Sequence, residues 1–78
     1  MPPVLRVGPY KFYFYSHEPN EPAHVHVDRD DLSAKIWLTP ISVSRNYGFA
    51  ANEITSVIET VEDNHKMLLE AWNGYFGN

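Results

Sequence analysis

The C-terminal third of the chain places apolar residues at a helical period. Ile54, Val57, Ile58, Val61, His65, Leu68, Trp72 and Phe76 recur at spacings of three and four over about six turns. A stripe of that length has to be buried against the remainder of the chain or against a partner. Residues 51–75 would span about 37 Å at the helical rise, against about 20 Å for a six-residue strand. One straight helix therefore overhangs the sheet by roughly three turns unless it bends near Asn64. Phe49 and Ile54 are spaced as a hydrophobic staple, with Glu53 at the third helical position. The capping position falls on Ala50, which has no side-chain acceptor, so the first turn is expected to fray. Gly74 or Gly77 ends the helix.

The preceding residues alternate with a period of two. Tyr10 to Tyr15, His24 to Arg29 and Ser33 to Thr39 read as strands, the last stopped by Pro40. Val4 to Val7 suggests a short edge strand, and residues 41–45 a fourth short strand before Asn46, Tyr47 and Gly48. The segment 16–23 is an acidic turn-rich loop whose Pro19 and Pro22 exclude a regular ladder. Alternation puts Phe12, Phe14, Val25, Val27, Ile36 and Leu38 on the face under the helix. Lys11, Tyr13, Tyr15, His24, His26 and Asp28 then share the outer face with Lys35, Trp37 and Thr39. The expected fold is α+β: a small antiparallel β-meander of three to four strands packed against one long C-terminal α-helix, a single domain over residues 1–78.

A chain of 78 residues buries only about 60% of the surface its unfolded form exposes, so stability is marginal and contact with a partner gains importance. There is no cysteine, which removes zinc ribbons and thiol nucleophiles and points to a cytoplasmic location. No apolar run is long enough to span a bilayer and no basic-then-apolar leader opens the chain, so no membrane role is expected. Ten acidic residues against six Lys and Arg give a net charge of −4, which argues against nucleic-acid binding.

Pro3-Val-Leu-Arg-Val-Gly8, Phe12-Tyr-Phe-Tyr-Ser16, Glu21-Pro-Ala-His-Val-His-Val27, Ala34-Lys-Ile-Trp-Leu38, Gly48-Phe49 with Glu53, and Leu69 to Phe76 together resemble the bacterial family called domain of unknown function 4160. The Glu-Pro-x-His-Val-His core is the most specific part, and Ala50 stands where the family usually has a capping Ser. The family carries no established activity. The resemblance implies a single-domain bacterial protein. Genes of the family often neighbour those of domain of unknown function 2442, in an arrangement that looks like a toxin–antitoxin pair. A small protein partner is therefore implied.

Three constellations carry candidate chemistry. His24 and His26 project to one side of a strand about 6.6 Å apart along the chain, a spacing that suits chelation, with Asp28, His17 or Glu21 as a third ligand. The bland alternative is a pair of imidazoles bonded to neighbours or water. The same pair could act as general acid and base in metal-independent RNA cleavage, with Lys35, Lys11 or Arg29 holding phosphate and Tyr13, Tyr15 and Trp37 stacking bases. Aromatics on a small sheet are more often packing. His65, inside the apolar stripe, is expected to bond to backbone or water. Glu18, Glu21, Asp28, Asp30 and Asp31 form a solvated acidic rim. Finally, Trp72, Tyr75 and Phe76 lie on the overhanging helix end and are expected in an interface, with a small protein or a second copy of the chain. The leading expectation is a protein-interaction component of a two-gene toxin–antitoxin-like module. The alternatives are a small ribonuclease and a His-based metal-binding protein, and no cofactor is expected.

Overall fold

The computed structural model describes residues 3–15 and 20–77. Strands β1 (Leu5–Val7), β2 (Tyr10–Tyr13), β3 (His24–Arg29), β4 (Leu32–Leu38) and β5 (Ile41–Tyr47) form one antiparallel sheet in chain order. Helices α1 (Ala51–Asp63) and α2 (His65–Phe76) follow. The α+β class and the meander are as expected. The sheet has five strands rather than three to four, and the helical stripe is divided between two helices rather than carried by one.

Turn chemistry sets the register. The β3–β4 hairpin turns through Asp30 and Asp31, and Asp30 takes a φ of 54°, which a short polar side chain tolerates. Thr39 and Pro40, joined by a cis peptide bond, make the β4–β5 turn. Next to that turn, Leu38 faces Ile41, Trp37 faces Ser42 and Ile36 faces Val43. The register then slips by one residue, so that Lys35 faces Arg45, Ala34 faces Asn46 and Ser33 faces Tyr47. Ser44 is the extra residue of this bulge. Directly opposed residues share a face. The slip therefore turns Arg45 and Tyr47 outward and Asn46 inward, the reverse of what unbroken alternation through β5 would do.

The inward turn of Asn46 prepares the helix. Its carboxamide accepts from the Phe49 N–H and donates to the Phe49 carbonyl, both at 2.9 Å. Gly48 has a φ of 108°, and a Cβ there would come within 2.5 Å of a Leu32 methyl, so only glycine fits this link. Ala50 makes no side-chain cap, as expected. The first turn is held by a different contact. Glu53 accepts from Arg29 Nε at 2.5 Å and Nη2 at 2.9 Å, and from the Tyr10 hydroxyl at 2.8 Å. Phe49 is buried and Ile54 packs against the core, as a staple requires.

The core lies between the sheet and the helices. Phe12, Phe14, Val25, Val27, Ile36 and Leu38 meet Val57, Val61, Leu68 and Trp72. The helical stripe bends at Asn64 (φ −116°, ψ 19°), which resolves the mismatch in length. The Asn64 amide donates to both Thr60 and Val61 carbonyls at 3.2 Å, and its side chain to Thr60 at 2.8 Å. His65 Nε2 donates to the Leu38 carbonyl at 2.5 Å and pins the start of α2 to the end of β4. It is the backbone-bonded histidine that its place in the stripe implied. Val4 and Leu5 also pack against the core, from the β1 edge.

Candidate functional site

The outer face of the sheet holds most of the residues with functional chemistry. Lys11, Tyr13, His26, Asp28, Ser33 and Lys35 are brought together by direct pairing: Lys11 with Asp28, Tyr13 with His26, His26 with Lys35, and Asp28 with Ser33. A depression of about 270 Å³ is lined by Tyr13, Tyr15, His26, Lys35, Arg45 and Tyr47, with Ser33 and Ala34 beside them. A second, of about 180 Å³, adjoins it along Lys11, Tyr13, Tyr15 and Asp28.

The rings form a connected cluster. Tyr13 stacks on His26 with centroids 5.5 Å apart, and Tyr15 meets His26 edge-on at 4.4 Å. The Tyr13 hydroxyl donates to both Asp28 carboxylate oxygens at 3.1 Å. Burial, then the neighbouring Tyr15 hydroxyl and the Asp28 charge, push the Tyr13 phenol well above its usual range and keep it neutral. Lys35 pairs with Glu21, and its Nζ lies 4.7 Å from the centre of the Trp37 ring. That ammonium is already satisfied by a carboxylate and a π-face.

His24 stands apart from this description. It is fully buried, at 0% exposure, and its Nδ1 donates to the Pro22 carbonyl at 2.8 Å. The rings of Trp72, His26 and Trp37 surround it, with centroids 4.9, 5.2 and 5.6 Å away. Alternation places it beside His26 correctly but does not show that Trp72 closes over the end of the sheet. His24 and His26 are neighbours without being two solvent-presented imidazoles. Among the described residues no three His, Cys, Asp or Glu side chains gather as a metal-binding set. His17 and Glu18, two of the other residues considered, lie outside the described residues.

The remaining candidates fall in three places. Arg29 points to the helix side, where Glu53 holds it through two nitrogens, so it does not serve the outer face. That contact keeps the Glu53 carboxyl below its usual range, with the Tyr10 hydroxyl adding to the effect. Trp72 is a core residue at 3% exposure, in contact with Phe14 and Phe76 at 5.3 and 4.2 Å. Phe76 is half-buried, and Tyr75 is 48% exposed. Arg45 and Tyr47 are residues of the face that sequence reading missed. No signal in the sequence assigns them to it, because only the bulge decides which way they turn.

Charge is unevenly distributed between the two sides. Of the six Lys and Arg residues, Arg6, Lys11, Lys35 and Arg45 stand on the outer face. Glu21 pairs with Lys35, and Asp28, opposite Lys11 in the ladder, accepts from the Tyr13 hydroxyl. The helices carry Glu53, Glu59, Glu62, Asp63 and Glu70 against the single base Lys66. No helix of the described residues is long and apolar enough to cross a membrane.

Fold and face together define a small α+β domain with an aromatic, basic outer sheet. The chain belongs to the family described as Domain of unknown function (DUF4160), which matches residues 10–73. No curated protein matches the chain, and no solved structure matches it.

Proposed function

We propose that this chain is a protein-interaction component, the partner member of a two-gene toxin–antitoxin-like module. The observation that carries this reading is the outward side of α2. Met67, Ala71 and Tyr75 follow one another at a spacing of four, so they form one stripe. Met67 is 36% and Tyr75 48% exposed. Exposed Met and Tyr beside small residues suit contact with a protein surface. The expected interface residues are thus Tyr75 and the rim of Phe76, with Trp72 supporting them from the core. The proposed partner is a small protein resembling the domain of unknown function 2442 family, and a second copy of the chain is the alternative occupant.

The ribonuclease reading is weakened by the enclosure of His24, since general acid–base catalysis needs both groups within reach of the substrate. The metal reading is weakened by the same enclosure and by the commitment of Nδ1 to Pro22.

Co-expression with a small protein of the domain of unknown function 2442 family, followed by affinity capture and mass by light scattering, tests the proposal. A defined complex that Tyr75→Asp or Met67→Asp dissolves is the expected result. A monomer that captures nothing from the co-expressed pair removes it. In parallel, inducible expression compares growth with that of the His24→Ala/His26→Ala variant. Growth arrest by the folded wild type alone, in cells without the partner, would restore the enzymatic alternative.

A further inference from the structure

We propose that the outer face of the sheet is a platform for single-stranded RNA, holding roughly two or three bases as small aromatic sheets do. This is a different surface from the α2 stripe, and it stands whether or not that stripe binds a protein.

Three observations converge on it. The first is the disposition of charge. The net charge of the chain is negative, but five of its ten carboxylates lie on the helices, and among the described residues the outer face carries Arg6, Lys11, Lys35 and Arg45 against Glu21 and Asp28. Packed layers are about 10 Å apart, and at physiological salt charges are screened within about 8 Å, so a strand on the sheet responds to the sheet's own charges. There Lys35 is neutralised by Glu21, whereas Arg6, Lys11 and Arg45 have no ion-pair partner among the described residues. These three are available to phosphates.

The second is the arrangement of rings next to those cations. Tyr15 and Tyr47 are 38% and 57% exposed, and both line the larger depression with Arg45. Exposed rings interleaved with cations match the stacking-plus-phosphate pattern of single-strand binding. A duplex hides its base faces and would leave the rings without partners. The depression, at about 270 Å³, is also small, which suits one nucleotide unit of a strand rather than a large rigid ligand.

The third is the polar floor. Ser33 lines the larger depression and Asp28 the smaller, and the side-chain oxygens these residues carry, Asp28 being also the acceptor of the Tyr13 hydroxyl, are of the kind that bonds a ribose 2′-hydroxyl. That group distinguishes RNA from DNA. The bulge at Ser44 supports all three points, because it brings Arg45 and Tyr47 to the same side as His26 and Lys35.

The test is fluorescence anisotropy of a labelled, mixed-sequence RNA of about 10 nucleotides titrated with the full chain. Binding should be saturable, and its logarithm should fall against log salt with a slope of about −1.4 to −2.1, for two or three phosphates. Arg45→Gln should weaken binding and make the slope shallower by about 0.7. Tyr47→Ala should weaken binding about tenfold and leave the slope unchanged. Lys66→Gln, on α2, should change neither. Both tested side chains are exposed on the edge strand, and circular dichroism confirms that each variant is folded. The proposal is overturned by any of four results: no saturable binding at low salt, equal binding of a duplex of the same sequence, equal binding of the corresponding DNA strand, or an effect of Lys66→Gln as large as that of Arg45→Gln.

Discussion

Replacing Trp72 by Ala tests most directly how this small domain is held together. Trp72 joins three parts of the structure: Phe14 after β2, His24 at the start of β3, and Phe76 one turn on in α2. Truncating a buried Trp costs about 3–5 kcal/mol, through lost burial and the cavity left behind. A domain of 78 residues has a total stability of about 4–12 kcal/mol. At about 4–8 °C per kcal/mol for a domain of this size, even a 3 kcal/mol loss lowers Tm by about 12–24 °C. Trp72→Phe keeps a ring against Phe14 and should cost less, about 1–2 kcal/mol. Tyr75→Ala removes a neighbouring ring that is 48% exposed and should cost under about 1 kcal/mol. Thermal melts followed by far-UV circular dichroism, with urea titrations for ΔG, give all three values. Should Trp72→Ala melt within about 3 °C of wild type, or Tyr75→Ala melt lower than Trp72→Ala, the assignment of Trp72 to the core and Tyr75 to the surface would be refuted.

Three further outcomes are expected. Because Arg29 and Tyr10 depress the Glu53 carboxyl, its contribution to stability is present above the unfolded value of about 4.3 and lost as pH falls through the lower folded value. Wild type should thus lose stability in acid more steeply than Glu53→Gln, as read by Tm against pH. The Tyr13 phenol has the opposite sign: its folded pKa is raised, so stability holds below about pH 10 and declines as pH rises further, and Tyr13→Phe should flatten that alkaline decline. Gly48→Ala should destabilise by more than about 1 kcal/mol in a urea titration, since it combines a positive φ with a clash against Leu32.

The parts of this fold that were legible in the sequence are those governed by local period. The alternation of Phe12 and Phe14, of Val25 and Val27, and of Ile36 and Leu38 identified the buried face correctly. The stripe from Ile54 to Phe76 identified the helical surface, but an apolar period continues unchanged across a bend. The mismatch in length between stripe and sheet pointed to a bend near Asn64, but not to a division of the stripe into the two helices α1 and α2 that Asn64 separates. The outer face was legible up to β4. Beyond it, a single inserted residue reversed the parity, so Arg45 and Tyr47 were not assigned to the face they occupy. His24 illustrates a different limit. Its face was readable, but its enclosure depends on Trp72, 48 positions away in the chain, and a period of two carries no information about that contact. Net charge likewise sums over both sides of the molecule and conceals their difference.

The bulge also bears on edge-to-edge pairing of the sheet. β5 is a seven-residue strand at the margin of the sheet, with one row of backbone groups facing outward. A straight strand of that length would serve as a template for a neighbouring chain. The extra residue Ser44 breaks the regular spacing of those groups midway and increases the local twist, and the charged Arg45 beside it adds a cost to close approach. A chain lacking Ser44 would present an even edge, and its tendency to aggregate would rise for reasons unconnected with the stability of the monomer.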